Sequence, residues 1–240
     1  MLISHRKEFI YTRTGTSAST SVEFYFQPYC YLDGQCPEIT RPFVEYEGNV
    51  GIVGARGRGS ASINKWHGHL SAQSIYSYIG PEIWNRYFKF CTIRNPFDKM
   101  ISQFYHQTNC KKVLMSPERF RVYCAARGTN DIERFRNYLL EITETNRGTY
   151  TIQDQPCVDF FIRYENLHEG VRAVCEKIGI KYEPQNLQQV VTPNTKRQEY
   201  DITDFYDRRS IEIIEQLYGW ELEHFGYTLP QKQLMTKIEI

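Results

Sequence analysis

Two stretches of this 240-residue chain are rich in groups that hold anions. The first is Thr12-Arg13-Thr14-Gly15-Thr16-Ser17, directly after the apolar run EFIY at 8–11. A loop of this kind between a strand and a helix aims main-chain N–H groups and a helix N-terminus at a negative charge. Gly15 lets the backbone approach a ligand closely. Thr14, Thr16 and Ser17 bring hydroxyl donors, and Arg13 brings a fixed positive fork. The Walker A pattern G-x-x-x-x-G-K-[ST] is absent. The second stretch is Arg94-Asn95-Pro96-Phe97-Asp98, with Ser102 eight residues after Arg94. Ser102 falls two turns into the helix expected there, about 9 Å above Pro96 at ~1.5 Å per residue. A phosphate held by both would therefore lie beside the helix, not on its axis. Plainer readings exist: a helix start capped by Ser or Thr, an Arg94–Asp98 pair, and a Ser102 hydroxyl bonding its own backbone. Taken together, two anion sites on neighbouring strand ends suit a nucleotide with phosphates at two separate positions.

A third stretch, Trp66-His67-Gly68-His69, precedes a helix expected from Ser71. Imidazole accepts a proton near neutral pH, so either ring suits removal of a hydroxyl proton during group transfer. A His-x-His pair also suits a metal, but no third ligand stands at a suggestive spacing. Both rings are also readable as structural or surface histidines.

The elements that must position these residues alternate. EFIY reads as a strand, Ser17–Phe26 as a helix, and Tyr87–Ile93 (YFKFCTI) as a buried aromatic and β-branched strand. Asn95-Pro96 fits an N-cap followed by Pro at the first helical position, opening a helix to about His106. Ser71–Ile79 reads as a helix stopped by Gly80-Pro81. Asp131–Thr145, with Ile132, Phe135, Leu139 and Ile142 at helical spacing, is another. Val158–Arg163 is a strand, the helix carrying Leu167, Val171, Val174 and Ile178 ends at Gly179, and Thr203–Tyr218 is a last long helix. Residues 27–64, rich in Gly and Pro, form an excursion with short strands, NVGIVGAR the best of them. Such alternation argues an α/β fold, a three-layer arrangement with a central, mainly parallel sheet flanked by helices. In such sheets ligands sit beyond the carboxyl ends of the strands.

At this point the chain resembles the sulfotransferase family, closest to its carbohydrate (Golgi-type) and bacterial branch. The 12–17 loop resembles that family's 5′-phosphosulfate loop, and YFKFCTIRNPFDKMISQFYH its 3′-phosphate motif, with Arg94 and Ser102 at the family's spacing. The likeness continues in WHGHLSA, in DFFIRYENL, and in a tail like N-x-x-R-x-x-Y before a hydrophobic helix; it covers roughly 8–228, with 27–64 matching little. It implies a single P-loop-like domain over 1–240, with 27–64 on the acceptor side. It implies 3′-phosphoadenosine 5′-phosphosulfate as co-substrate, the 3′,5′-bisphosphate as product, and no metal. It implies donor binding by Arg13, Thr14, Gly15, Thr16, Ser17, Arg94, Ser102, Tyr164 and Arg197, with Tyr164 near the adenine and Arg197 closing over the nucleotide. The base falls on His69, with His67 second, and Arg13 acts on the leaving phosphate. Many members carry Lys where Arg13 stands; an arginine stabilises charge there but donates no proton. Lys65 is a possible substitute, and the family's late basic motif is only approximate in Thr195-Lys196-Arg197. Other classes stay open: a P-loop nucleotide kinase relative, or a non-catalytic nucleotide- or carbohydrate-binding module.

The acceptor bears a hydroxyl, with a glycan or a small molecule the expected class. Arg41, Arg56 and Arg58, then Lys111, Lys112, Arg119 and Arg121, would suit an anionic one; Tyr25, Tyr29, Tyr31, Phe43 and Tyr46 would suit a sugar face or a phenol. Lys and Arg number 29 against 28 Asp and Glu, so the net charge of +1 argues against a polybasic nucleic-acid partner. No apolar run approaches the ~20 residues of a membrane span, and no secretory leader is visible. The seven cysteines form no C-x-x-C and no zinc spacing. They are expected to be mostly buried thiols of a reducing, cytoplasmic compartment, with Cys30–Cys36 the one conceivable bridge.

Overall fold

A computed structural model of the chain describes residues 1–37, 44–57, 60–143, 145–187 and 200–231. Its strands are β1 (Leu2–Ser4), β2 (Phe9–Thr12), β3 (Tyr46–Gly48), β4 (Gly51–Val53), β5 (Phe88–Ile93), β6 (Thr151–Ile152), β7 (Gln155–Pro156) and β8 (Phe160–Arg163). Its α-helices are α1 (Ser19–Phe26), α2 (Ser60–Ile63), α3 (Ala72–Arg86), α4 (Pro96–Leu114), α5 (Pro117–Ala125), α6 (Asp131–Leu139), α7 (Leu167–Lys177), α8 (Ile202–Phe205) and α9 (Arg208–Phe225). None of the described helices is long and apolar enough to cross a membrane. The chain divides into two compact units, Met1–Arg94 with Asn146–Val191, and Asn95–Thr145 with Thr192–Ile240.

The first unit holds a six-stranded sheet in the order β3-β4-β1-β2-β5-β8. β2, β5 and β8 run parallel, with Phe9 opposite Phe88 and Cys91 opposite Phe161. β1, β3 and β4 join by antiparallel pairings. The sheet is therefore mixed, and the expected parallel arrangement holds for the half that carries the 12–17 and 94–98 stretches. A parallel half needs cover on both faces, and β5 is accordingly buried from Lys89 to Ile93. Alternation along the strands supplies two cores. Leu2, Phe9, Tyr11, Phe90 and Ile162 pack with Val22 and Phe26 of α1 and Val171 and Val174 of α7. Ile3, Ile10 and Ile52 pack on the other face with Trp66 and with Ile75 and Trp84 of α3. The unit is thus layered helix–sheet–helix.

The second unit is helical. Phe97, Met100, Ile101 and Phe104 of α4 pack with Phe135, Tyr138 and Leu139 of α6, Phe205 of α8, and Ile214 and Tyr218 of α9. Asn95 caps α4 by accepting from the Phe97 N–H, and Pro96 stands at its first position. α4 runs on to Leu114, beyond the expected end at His106, because no breaker intervenes before Ser116-Pro117. That pair starts α5, an element not foreseen, with the Ser116 side chain accepting from Arg119 N–H. The expected last helix is two: Asp201 and Asp207 each begin a capping box, so α8 ends and α9 starts afresh at Arg208. α6 stops at Leu139, short of Thr145. In the first unit, Gly80 takes φ +78° and kinks α3 before Pro81, where helical turns resume to Arg86. All seven cysteines are free; Cys30, Cys91 and Cys175 are buried and the other four only partly, so the expectation of mostly buried thiols fails and Cys30–Cys36 is not bridged.

Candidate functional site

Because β2 and β5 are parallel neighbours, their carboxyl ends lie side by side, Thr12 opposite Cys91. The 13–18 loop leaves the first end and Arg94 the second. Arg94 Nη1 donates to the Thr16 carbonyl at 3.0 Å, and its guanidinium carbon lies 4.0 Å from the centre of the Tyr164 ring, just past the end of β8. Three of the expected contacts are thereby gathered at one end of the three parallel strands. Burial holds the pKa of Arg94 somewhat below its ordinary value, with Tyr164 and Glu165 opposing that shift; the group stays a cation at neutral pH.

The loop differs from its sequence reading in an informative way. The Thr14 hydroxyl donates to the Thr92 carbonyl at 2.5 Å and lies 2.6 Å from the Ser17 hydroxyl. Ser17 Oγ is 3.0 Å from Thr92 Oγ1. Thr14 and Ser17 are 3% and 1% exposed. These two hydroxyls fasten the loop to β5 rather than face outward. The capping expectation also fails: the N-cap of α1 is Ala18, with no side-chain bond. Thr16 has φ +54° and Ala18 φ +55°, while Gly15 and Ser17 between and before them are not left-handed. An alternating backbone of this sort turns N–H groups to one side and makes an anion-binding concavity. Thr16 Oγ1 is buried without a hydrogen-bond partner among the described residues. A Cβ added at Gly15 would meet the Asn146 side chain only at 3.5 Å, an ordinary contact.

Arg13 is seated from below. Its Nη2 donates to Thr20 Oγ1 at 2.9 Å, and Nη1 lies 3.5 Å from Glu23 Oε2. Glu23 is fully buried on α1 and also faces Arg56 at 3.6 Å and the Met1 amino group at 3.0 Å. Burial pushes its pKa up, but the amino group, Arg13 and Arg56 outweigh that and hold it below the usual carboxylate range. Arg13 and Arg56 together outnumber this one buried carboxylate, which leaves the cluster with net positive charge. Arg56 donates to Gln27 Oε1 at 2.8 Å and is buried, so it does not serve the acceptor side as expected.

The histidine segment is pinned just past the end of β4 by Ala55 N–H to the Trp66 carbonyl and Gly68 N–H to the Ala55 carbonyl. The guanidinium of Arg13 packs on Gly68, where an added Cβ would come within 2.7 Å of Nη1. His69 is exposed. Burial, then the Arg13 charge, lower its pKa to about 4, against a smaller opposing pull from the Arg13 main chain. Burial lowers His67 as well, with the Met1 amino group second. Of the pair, His69 is the one beside Arg13.

Other expected residues fall elsewhere. Lys65 pairs with Glu47 at 3.5 Å and lies over the Trp66 ring. Tyr25 and Tyr31 are core residues, Tyr31 stacked on Tyr46 at 4.3 Å. Ser102 stands on α4 in the second unit, partly buried, and its hydroxyl makes no hydrogen bond among the described residues. Lys111, Lys112, Arg119 and Arg121 are exposed there. Arg41, Phe43, Arg58, Thr195, Lys196 and Arg197 lie outside the described residues. Sequence reasoning missed Glu23, Thr92 and Ala18. A carboxylate inside the apolar run Val22–Phe26 is the one signal that could have found Glu23.

A model of the sulfotransferase family matches residues 1–228. A protein of Archaeoglobus fulgidus, described as uncharacterized, is 30% identical over 115 residues, 48% of this chain and 86% of its own length. No solved structure matches the chain.

Proposed function

Since the chain belongs to the sulfotransferase family, we propose that it transfers a sulfuryl group from 3′-phosphoadenosine 5′-phosphosulfate to a hydroxyl acceptor, with His69 as base. The observation that carries this reading is the juxtaposition of the 13–18 loop and Arg94 on adjacent parallel strand ends. Three features suit an anionic donor: the alternating loop backbone, the buried Thr16 hydroxyl without a partner among the described residues, and the excess of cations round Glu23.

The loop N–H groups and Arg13 hold the 5′ end. Arg94 takes the 3′-phosphate, and Tyr164, its ring face already against Arg94, borders the base. Thr14 and Ser17 serve by shaping the loop, while Gly15 and Thr16 face the ligand. Ser102 and Arg197 enter this proposal by resemblance alone, as does a single domain over 1–240 with 27–64 on the acceptor side. The acceptor oxygen attacks sulfur opposite the bridging oxygen. As the new S–O bond forms and the bridging bond breaks, the acceptor proton passes to His69, and the electron pair leaves on the 5′-phosphate. Arg13 and the loop stabilise that charge, so the work is positioning plus electrostatics. The lowered pKa keeps His69 unprotonated at neutral pH while making it a weaker base than an ordinary imidazole.

Thermal shift with 3′,5′-bisphosphoadenosine, ADP and ATP-Mg tests donor choice, since a bound ligand stabilises by RT ln(1 + [L]/Kd). Selective stabilisation by the bisphosphate is expected. A preference for ATP-Mg would overturn the reading in favour of a kinase. Transfer of radiolabelled sulfate onto a panel of glycans, phenols, lipids and tyrosine peptides then identifies the acceptor, with a glycan or a small molecule the expected class.

A further inference from the structure

We infer that Arg94 is a positioning residue for the 13–18 loop as well as an anion ligand, so that one side chain couples the two ends of the donor site. This rests on the reading above, in which the loop holds the 5′ end. Thr16 adopts φ +54°, a region that β-branched residues avoid. Something must hold it there. The neighbouring hydroxyls of Thr14 and Ser17 are tied to Thr92, but Thr16's own hydroxyl finds no partner among the described residues. The restraint on Thr16 is the Arg94 Nη1 bond to its carbonyl, 3.0 Å long.

Arg94 is well suited to a fixed bond. It is 6% exposed, and the Tyr164 ring lies against its guanidinium plane. Thr92 and Arg94 are two apart in the chain and so leave β5 on the same side. The end of β5 thus holds the loop at consecutive points, Thr14 and Ser17 through Thr92, then Thr16 through Arg94. The peptide unit is planar and trans, so fixing the Thr16 carbonyl toward Arg94 turns the Ser17 N–H to the opposite side. A guanidinium carries five N–H donors in a fixed fork, a geometry that lets one side chain serve a loop carbonyl and an anion together. An anion pulling on Arg94 therefore acts also on the loop's main chain.

The test begins with hydrogen–deuterium exchange on the ligand-free full chain, which is independent of the proposed chemistry. In Arg94→Met, amides of 14–18 should exchange about tenfold faster, the size expected for losing one charge-assisted bond. Those of α7 should be unchanged. Arg94→Lys keeps a donor and should recover part of the protection. The second measurement uses adenosine 5′-phosphosulfate, which lacks the 3′-phosphate. Arg94→Met should lower kcat with this donor too, since the loop rather than the missing phosphate is at fault. Wild-type exchange at 14–18 in both variants would overturn the inference, as would an unchanged kcat with the truncated donor. If the wild-type chain transfers sulfate from neither donor, the sulfotransfer reading fails, while the exchange result still decides the role of Arg94.

Discussion

Glu23→Gln probes how Arg13 is seated. Glu23 is fully buried and faces Arg13 at 3.5 Å and Arg56 at 3.6 Å. At an effective dielectric of about 20, each contact amounts to about 4–5 kcal/mol of attraction, most of it offset by the cost of burying the charges. Removing only the carboxylate leaves the guanidinium groups buried without their counter-charge. Broken pairs of that kind cost about 3–5 kcal/mol, against roughly 5–15 kcal/mol of total stability. For a chain of this size the midpoint should fall by roughly 6–20 °C. Melts followed by circular dichroism over a pH series provide a second check. Glu23 titrates below the usual carboxylate range when folded, so its contribution is complete above about pH 5 and disappears as pH falls through its folded pKa. The two melting curves should therefore converge at low pH. Adding Arg56→Met should restore part of the loss, because the double variant no longer strands that cation. A Glu23→Gln midpoint within about 2 °C of wild type would refute the reasoning: Glu23 would not be the counter-charge that fixes Arg13.

Gly68→Ala should push the Arg13 guanidinium aside, since the new Cβ would lie 2.7 Å from Nη1. Turnover should fall about 10–100-fold, with a drop in midpoint as well because Nη1 also faces Glu23, measured by sulfate transfer beside a melt. His69→Ala should keep bisphosphate affinity and lose about 10²–10⁴-fold in transfer; retained turnover would move the base elsewhere. In the wild-type chain the acid limb of kcat/KM should lie below the ordinary imidazole value of about 6.5, and Arg13→Gln should raise the His69 titration seen by NMR because a lowering charge is removed. Thr92→Val leaves buried hydroxyls of Thr14 and Ser17 short of a partner. It should cost about 1–3 kcal/mol in denaturant unfolding.

The parallel half of the sheet was legible because its strands are short, largely apolar runs, and α4 because Asn95-Pro96 caps it explicitly. The positions of Arg13, Arg94 and Tyr164 followed from being next to strand ends. The antiparallel half was harder: β1 is three residues long and β3 and β4 sit in a Gly-rich stretch without a long pattern. Local composition could not show which hydroxyls in Thr14–Ser17 are outward. That depends on Thr92, 78 residues from Thr14, and on left-handed backbone at Thr16 and Ala18 that neither residue type favours. Arg56 looked like a surface cation because its partners, Gln27 and Glu23, lie about thirty residues away in the chain.

The knot of Thr14, Ser17 and Thr92 has a bearing on redesign. Side chains already committed inward cannot be exchanged to read a different donor, because the replacement would loosen the loop before it met any new chemical group. Under the proposed function, whatever selectivity the loop's N–H groups supply would be missed by saturation libraries confined to its side chains. Retargeting such an enzyme would have to reshape the chain path, by changing loop length or the handedness at positions 16 and 18, and leave its three threonine and serine anchors alone.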